Sequence, residues 1–466
     1  MPAKLSKYAW LDLHTILLIG AVVLYLLLCT IPFIVFGQHP LGYDTGFYRR
    51  YLINPSVSFP NPPVPGVDHT IIAPRIFLDI VRFLGLSPDL SLYGSYILLC
   101  LVFVIVFYFF IKEYTNKNIA LVALALLILS PVQYLGYWFM LYKNFFGLIF
   151  FFLAFIFIKK KWFWPALLCA LVVPLSHQTT TILLLGILGG YILLTLLFQK
   201  KFLIPELIIL ALTFFTYLYL HPHVQQKIDA PPVGIFIEKL DFLLMTLPLI
   251  LLTLAGLPKF FKVLKENYLL IALGGVSIIF PLLSLPYYQR IFLFTNYWLI
   301  LGAAIGLHAL VNFHSEHGRR YCQLILMAVV ILLISHVGLL IHQITRFDPL
   351  ITPDITAEII GLQKIVPENA SILTSVRLTP WVQGWTTAKV YAPGILKDQH
   401  PSWEWQAYWS GSVNERVSFL STFPKPVYIF IDHSQSDLFV PKSSCIQKIT
   451  QMLYLDNCQS KSNEHY

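Results

Sequence analysis

The chain has 466 residues, 57% of them hydrophobic and only 12% charged. Soluble domains carry about a quarter charged residues, so this composition excludes an ordinary soluble protein and indicates a membrane one. The formal net charge of +9 does not mark a nucleic-acid partner, because the excess sits in short clusters between apolar runs, where it orients helices across a bilayer.

The first apolar run, 13–36, follows Lys4 and Lys7, is long, and lacks a small-residue cleavage site. It reads as a retained spanning helix rather than a signal peptide. An outer loop, 38–89, comes next. It opens on Leu41-Gly42-Tyr43-Asp44-Thr45-Gly46-Phe47-Tyr48-Arg49-Arg50, crosses a proline-rich stretch at 54–65, and reaches 71–84, where charges interrupt bulky apolar residues. That last pattern predicts an amphipathic helix lying in the interface.

Further spans are expected at 90–111, from 119 to Ser130-Pro131, and at 145–158. Two short ones follow at 165–175 and 180–197, separated by Ser176-His177-Gln178-Thr179. The remaining spans are 203–220, 242–257, 268–285, 291–311 and 321–344. Basic clusters at 112–117, 159–161, 200–201, 259–265 and 319–320 fall on alternate connections. This bias places the N-terminus in the cytoplasm and, with an odd number of spans, the C-terminus outside an integral plasma-membrane protein.

From about 346 the apolar runs shorten to strand length, at 370–374 and 427–431, after a helical stretch at 354–366. Helix, strand, connection and strand predict a small α/β unit with its own core. The expected fold is an all-α multi-pass membrane protein of about 11 transmembrane helices, residues 1–345, with a small extracytoplasmic C-terminal α/β domain, 346–466. Cys29, Cys100, Cys169 and Cys322 fall in or beside apolar spans and read as small packing side chains. Cys445 and Cys458 can pair in an oxidising compartment, although one spacing does not decide it.

Asp44 puts a carboxylate at a bilayer surface among arginines and aromatics. Two readings coexist: the N-cap of an interfacial helix, and a general base acting on a water-facing, lipid-linked head group. Asp68 is the second acid of the loop. Paired acids divide base and orienting roles or hold a divalent metal, whereas alone Asp68 is a turn or cap residue. The sequence names no certain cofactor and leaves room for a divalent metal.

Arg290 follows Pro286-Tyr287-Tyr288-Gln289 at an outer helix end, against the charge bias. It can grip a phosphate through paired charge-assisted hydrogen bonds, or snorkel as an interface arginine. Lys143, after an aromatic stretch that includes Trp138, is a second outer cation. His177 is polar material in an apolar setting, read either as functional or as a helix-end histidine. The tryptophans at 381, 385, 403, 405 and 409 serve a core or interface better than sugar stacking. The phosphate loop of ATP-driven transport, the serine-hydrolase elbow and the His-Glu-x-x-His zinc motif are all missing.

Asp44-x-x-Phe47-x-x-Arg50 resembles the first-loop motif of the oligosaccharyltransferase catalytic subunit. The layout as a whole is similar to the GT-C superfamily of membrane glycosyltransferases, including protein O-mannosyltransferases and aminoarabinose transferases. The resemblance implies a catalytic Asp44 and a lipid-phosphate role for Arg290. Two departures stand out. The Trp-Trp-Asp-Tyr-Gly acceptor motif is replaced by the acid-free Pro380-Trp381-Val382-Gln383-Gly384-Trp385, and Thr45 stands where O-mannosyltransferases carry a second acid.

The expected activity is therefore inverting transfer of a sugar from a polyprenyl-phosphate donor to an extracytoplasmic lipid, glycan or protein acceptor. Asp44 and Asp68 are the catalytic candidates. Arg290, Lys143 and Arg50 are the lipid-phosphate candidates, and Tyr287, Tyr288, His177 and Trp138 the donor or acceptor contacts. The alternative is a non-enzymatic lipid-glycan flippase. That function calls for charges near the bilayer midplane, and the spans are nearly free of them.

Overall fold

The computed structural model describes residues 13–37, 41–54, 72–220, 237–285, 288–316, 319–346, 348–393, 400–432 and 440–458. The helical part begins with α1 (Leu13–Phe36). Two first-loop helices follow, α2 (Thr45–Ile53) and α3 (Ile72–Arg82). Next come α4 (Pro88–Tyr114), α5 (Lys117–Ile128), α6 (Pro131–Trp138), α7 (Tyr142–Lys159), α8 (Phe163–Val172), α9 (Gln178–Gln199) and α10 (Ile204–Leu220). The bundle is completed by α11 (Lys239–Ala255), α12 (Leu257–Glu266), α13 (Tyr268–Leu282), α14 (Tyr288–Glu316) and α15 (Arg319–Arg346).

Six of these helices are long and apolar enough to cross a bilayer, or up to eight when two bent pairs each count as one span. The apolar helices α8, α10 and α13 have only 10–17 residues, short of the roughly 20 needed for a full crossing. Among the described residues, length and composition alone thus account for six to eight of the expected spans, and α8, α10 and α13 are shorter apolar helices beside them. The bends have local causes. The α5–α6 pair turns by 58° where Pro131 opens α6 and the Ser130 hydroxyl caps the Gln133 amide. The α11–α12 pair turns by 81° at Gly256-Leu257-Pro258, and the basic stretch after the span, read above as a loop, is helical.

The C-terminal part contains α16 (Pro353–Ile365), β1 (Ser371–Thr374), α17 (Thr379–Gly384), β2 (Lys389–Tyr391), α18 (Ser402–Ser410) and α19 (Val413–Leu420). The strands β3 (Val427–Phe430), β4 (Ile446–Lys448) and β5 (Leu453–Asp456) close it. The sheet order is β2-β1-β3-β5-β4. β1 runs parallel to β2 and β3, and β5 runs antiparallel to β3 and β4. Every residue of β1 and β3 is buried, as expected of strands covered on both faces. One face packs Ile355, Ile359 and Trp381 against the sheet; the other packs Trp405, Tyr408 and Phe423. Cys445 and Cys458 are joined as a disulfide, with Cα atoms 4.8 Å apart.

Candidate functional site

The first loop is held from two sides. Gly42 has φ +76°, and a Cβ there would overlap the Phe139 carbonyl and the Met140 side chain, so the loop lies directly on the turn between α6 and α7. On the other side the Trp381 indole donates to the Gly42 carbonyl at 3.1 Å, and the Tyr43 hydroxyl donates to the Val376 carbonyl at 2.7 Å. Burial, with a further push from Asp44, raises Tyr43 well above its ordinary value, so the phenol stays protonated and keeps donating. The Thr45 hydroxyl turns back onto the Leu41 carbonyl.

These contacts set Asp44 at the entrance of α2. Its carbonyl accepts from the Phe47 and Tyr48 amides at 3.1 and 3.4 Å, while its side chain makes no capping hydrogen bond. The capping half of the sequence expectation is therefore not met by the carboxylate. That carboxylate instead pairs with Lys143, Oδ2 to Nζ 3.1 Å, with the two side chains 34% and 21% exposed. Lys143 reaches it from the first turn of α7, which starts after Met140 at φ +49°. Two residues singled out separately in the sequence thus form one ion pair at the rim.

Arg290 lies in the first turn of α14. The Lys159 ammonium, at the far end of α7, donates to Asn267 Oδ1 at 2.7 Å just before α13. α13 then runs back toward the end at which α7 began, so α14 starts on the Lys143 side of the bundle. The rings of Phe152 and Tyr297 pack 5.7 Å apart. Lys143 is nine residues before the first and Arg290 seven before the second, which places them about 13 and about 10 Å up their helices from that shared level. The two cations are therefore at similar depth.

His177 also lies near the start of α7. A Cβ on Gly147, one turn below Lys143, would sit 3.4 Å from the His177 Cβ. Its Nδ1 accepts from the Thr180 amide at 3.4 Å, so it caps α9. Trp138 is 2% exposed and packs edge-on against Phe36 at 4.7 Å, which is a packing role. Tyr288 meets Phe292 edge-on and lies under the Lys239 ammonium at 5.1 Å. Asp68 and Tyr287 lie outside the described residues.

Arg50 is reassigned by its contacts. Its guanidinium is buried and donates to the Thr386 and Thr387 carbonyls at 2.7 and 2.9 Å. Burial pulls its pKa below the ordinary value, and nearby Glu368 acts in the opposite direction. This geometry makes it a tether to the C-terminal part rather than a phosphate ligand. Arg49 acts beside it, donating to the Gly384 carbonyl at 2.8 Å and to Asp89 at 2.8 Å while stacking on Trp385 at 4.6 Å. Phe47 enters the hydrophobic core of the C-terminal part. A Cβ on Gly46 would overlap the Pro380 carbonyl, and one on Gly384 would overlap Gly46, so α2 and α17 touch backbone to backbone.

One constellation escaped the sequence reading. The Tyr51 hydroxyl donates to Asp79, 2.8 Å from each carboxylate oxygen, and Arg75 lies 4.9 Å over the Tyr51 ring. The i, i+4 spacing of Arg75 and Asp79 on the amphipathic segment was the available signal. Among the described residues Asp44 belongs to no group of three or more metal-ligating side chains, and its carboxylate pairs with the Lys143 ammonium. Asp68, the acid paired with it for a divalent metal in the sequence, lies outside those residues. The cluster of Cys445, Cys458 and Asp456 has its sulfurs in a disulfide and its carboxylate on Lys425.

No protein-family model matches the sequence, and a comparison with curated proteins finds no match. Solved structures do match. The apo Archaeoglobus fulgidus oligosaccharyltransferase aligns with TM-score 0.67 at 11% identity, over 92% of this chain and 70% of its own. The same enzyme tethered to an acceptor peptide containing an NVT sequon aligns at 0.64 and 12%. ArnT from Cupriavidus metallidurans bound to undecaprenyl phosphate aligns at 0.55 and 13%, over 96% of this chain and 98% of its own. Both neighbours are GT-C membrane glycosyltransferases. At these identities the likeness shows the fold alone: this chain shares the architecture of these two membrane proteins.

Proposed function

We propose that the protein is an inverting membrane glycosyltransferase that moves a sugar from a polyprenyl-phosphate carrier to an extracytoplasmic acceptor. The observation that carries this reading is the partly exposed Asp44–Lys143 ion pair at the rim of a GT-C fold, at similar depth to Arg290. One neighbour was solved with undecaprenyl phosphate and another with an acceptor peptide, which supports a lipid-linked donor. The acid-free α17 segment, buried against α2, leaves the acceptor as a lipid, a glycan or a protein. The Cys445–Cys458 disulfide favours an oxidising compartment for the C-terminal part.

In this mechanism the acceptor hydroxyl gives its proton to Asp44 while its oxygen bonds to the anomeric carbon. The bond from that carbon to the phosphate oxygen breaks, and the polyprenyl phosphate leaves with the electron pair. The donor phosphodiester carries one negative charge and the departing monoester two. Protonating Asp44 ends its attraction for Lys143 just as that extra charge appears, so the ammonium is released toward the phosphate, where Arg290 adds a second cation. Such stabilisation of developing charge is usually the largest catalytic contribution.

The test is to incubate purified protein with a panel of radiolabelled polyprenyl-phosphate sugars and extracted membrane acceptors. Transfer of label by wild type and its loss in Asp44→Asn support the reading. Wild-type turnover in Asp44→Asn ends the catalytic assignment. Lipid scrambling between leaflets with no glycosylated product would favour the flippase.

A further inference from the structure

The end of the bundle opposite Asp44 gathers a feature that glycosyl transfer does not use. α7 runs from the Asp44–Lys143 pair to Lys159, and the Lys159–Asn267 hydrogen bond joins that end to the C-terminus of α12. The ring of Phe198, at the end of α9, stacks on Tyr268 at 5.9 Å, which brings Lys200 and Lys201 to the same place. Lys160 faces Glu113 at 3.8 Å and lies 5.4 Å over the Trp162 ring. One continuous surface therefore carries the turn after α7, the end of α9 and the whole of α12.

α12 is the centre of that surface. It leaves α11 at 81°, so it lies along the membrane plane when α11 spans. Its buried side is Phe260, edge-on to Trp298 at 5.0 Å, and Leu264. The elbow is held where Gly256 meets Gly306 so closely that neither has room for a side chain. Lys259, Lys262 and Lys265 are exposed and recur every third residue, so they stay on one side of the helix. Exposed aromatics lie on the same and adjoining segments: Phe261 on α12, Trp162 after α7, Trp164 in the first turn of α8, and Phe198 and Phe202 around the end of α9. Among the described residues the acids of this face are Glu113, Glu206 and Glu266, too few to balance the lysines.

We propose that this face is a docking surface for the anionic phospholipid head groups of the leaflet opposite Asp44, with α12 as its contact strip. An in-plane amphipathic helix with lysines outward and aromatics at the same level matches a negatively charged interface in both geometry and charge. An acidic soluble protein would meet the lysines but gain nothing from so many exposed aromatics at bilayer depth.

The experiment titrates the full-length, detergent-purified protein with phosphatidylglycerol or phosphatidylcholine and counts bound lipids by native mass spectrometry, so it does not depend on sugar transfer. At low salt, phosphatidylglycerol is expected to bind at least about tenfold tighter, with the preference shrinking as salt rises. Combined Lys259→Gln, Lys262→Gln and Lys265→Gln removes the preference, and the corresponding arginine triple keeps it. Equal binding of the two lipids by wild type, a salt-insensitive preference, or an undiminished preference in the glutamine triple would overturn the proposal. The wild-type salt series stands even where the glutamine triple fails to fold.

Discussion

The first loop offers its own internal contrast. Arg50 lies on the seam between α2 and the C-terminal part, dry and bonded to two carbonyls. Asp44, six residues earlier, lies on the rim, partly wet and matched to a single flexible ammonium. A buried charge bonded to two main-chain carbonyls is a structural fastening. One that faces a side chain able to swing away can change partner during a reaction. Proximity to the membrane does not separate these roles; the number and stiffness of a group's partners does.

The largest expected effect is Asp44→Asn, which should lower transfer about a thousandfold, within the range for losing a general base, while leaving thermal unfolding unchanged. A fall in stability with activity retained would erase the contrast. Arg50→Ala should do the reverse, costing about 3 kcal/mol of stability because two carbonyls of the seam lose charge-assisted donors; thermal unfolding in detergent measures it. Lys143→Ala should slow transfer about tenfold with little change in unfolding, since a partly exposed ion pair contributes at most about 1 kcal/mol. Lys143→Arg should restore part of the rate.

The smallest effect concerns Tyr43. Its folded pKa is raised above the ordinary value of 10.0, so its stabilising contribution is intact below pH 10 and is lost as pH climbs past that value. Tyr43→Phe should cost about 1 kcal/mol at neutral pH through the lost Val376 hydrogen bond. The gap from wild type should narrow above pH 10, as followed by unfolding across a pH series.

Sequence periodicity and composition revealed the apolar helices, the C-terminal strands at 371–374 and 427–430, and the helix at 353–365, because each is written in a local run of residues. Asp44 and Lys143 were legible as outer charges, but not as a pair, since nothing local links the entrance of α2 to that of α7. The cap expectation failed for the same reason: the carboxylate found a cation that only tertiary structure supplies. The seam was invisible because Gly46 and Gly384 signal nothing alone and acquire meaning only where two backbones touch. α12 was read as a loop because lysines at every third position resemble an orienting cluster until the buried Phe260 and Leu264 are seen.

The seat of Phe47 inside a hydrophobic core built mostly by the last quarter of the chain constrains biogenesis. Tyr43 and its acceptor Val376 are 333 positions apart. While the ribosome delivers everything between them, the segment bearing Asp44 has no finished berth. That berth therefore forms only after the segment carrying Val376 has been made. A chain truncated before β1 would lack both the acceptor for Tyr43 and the core that seats Phe47.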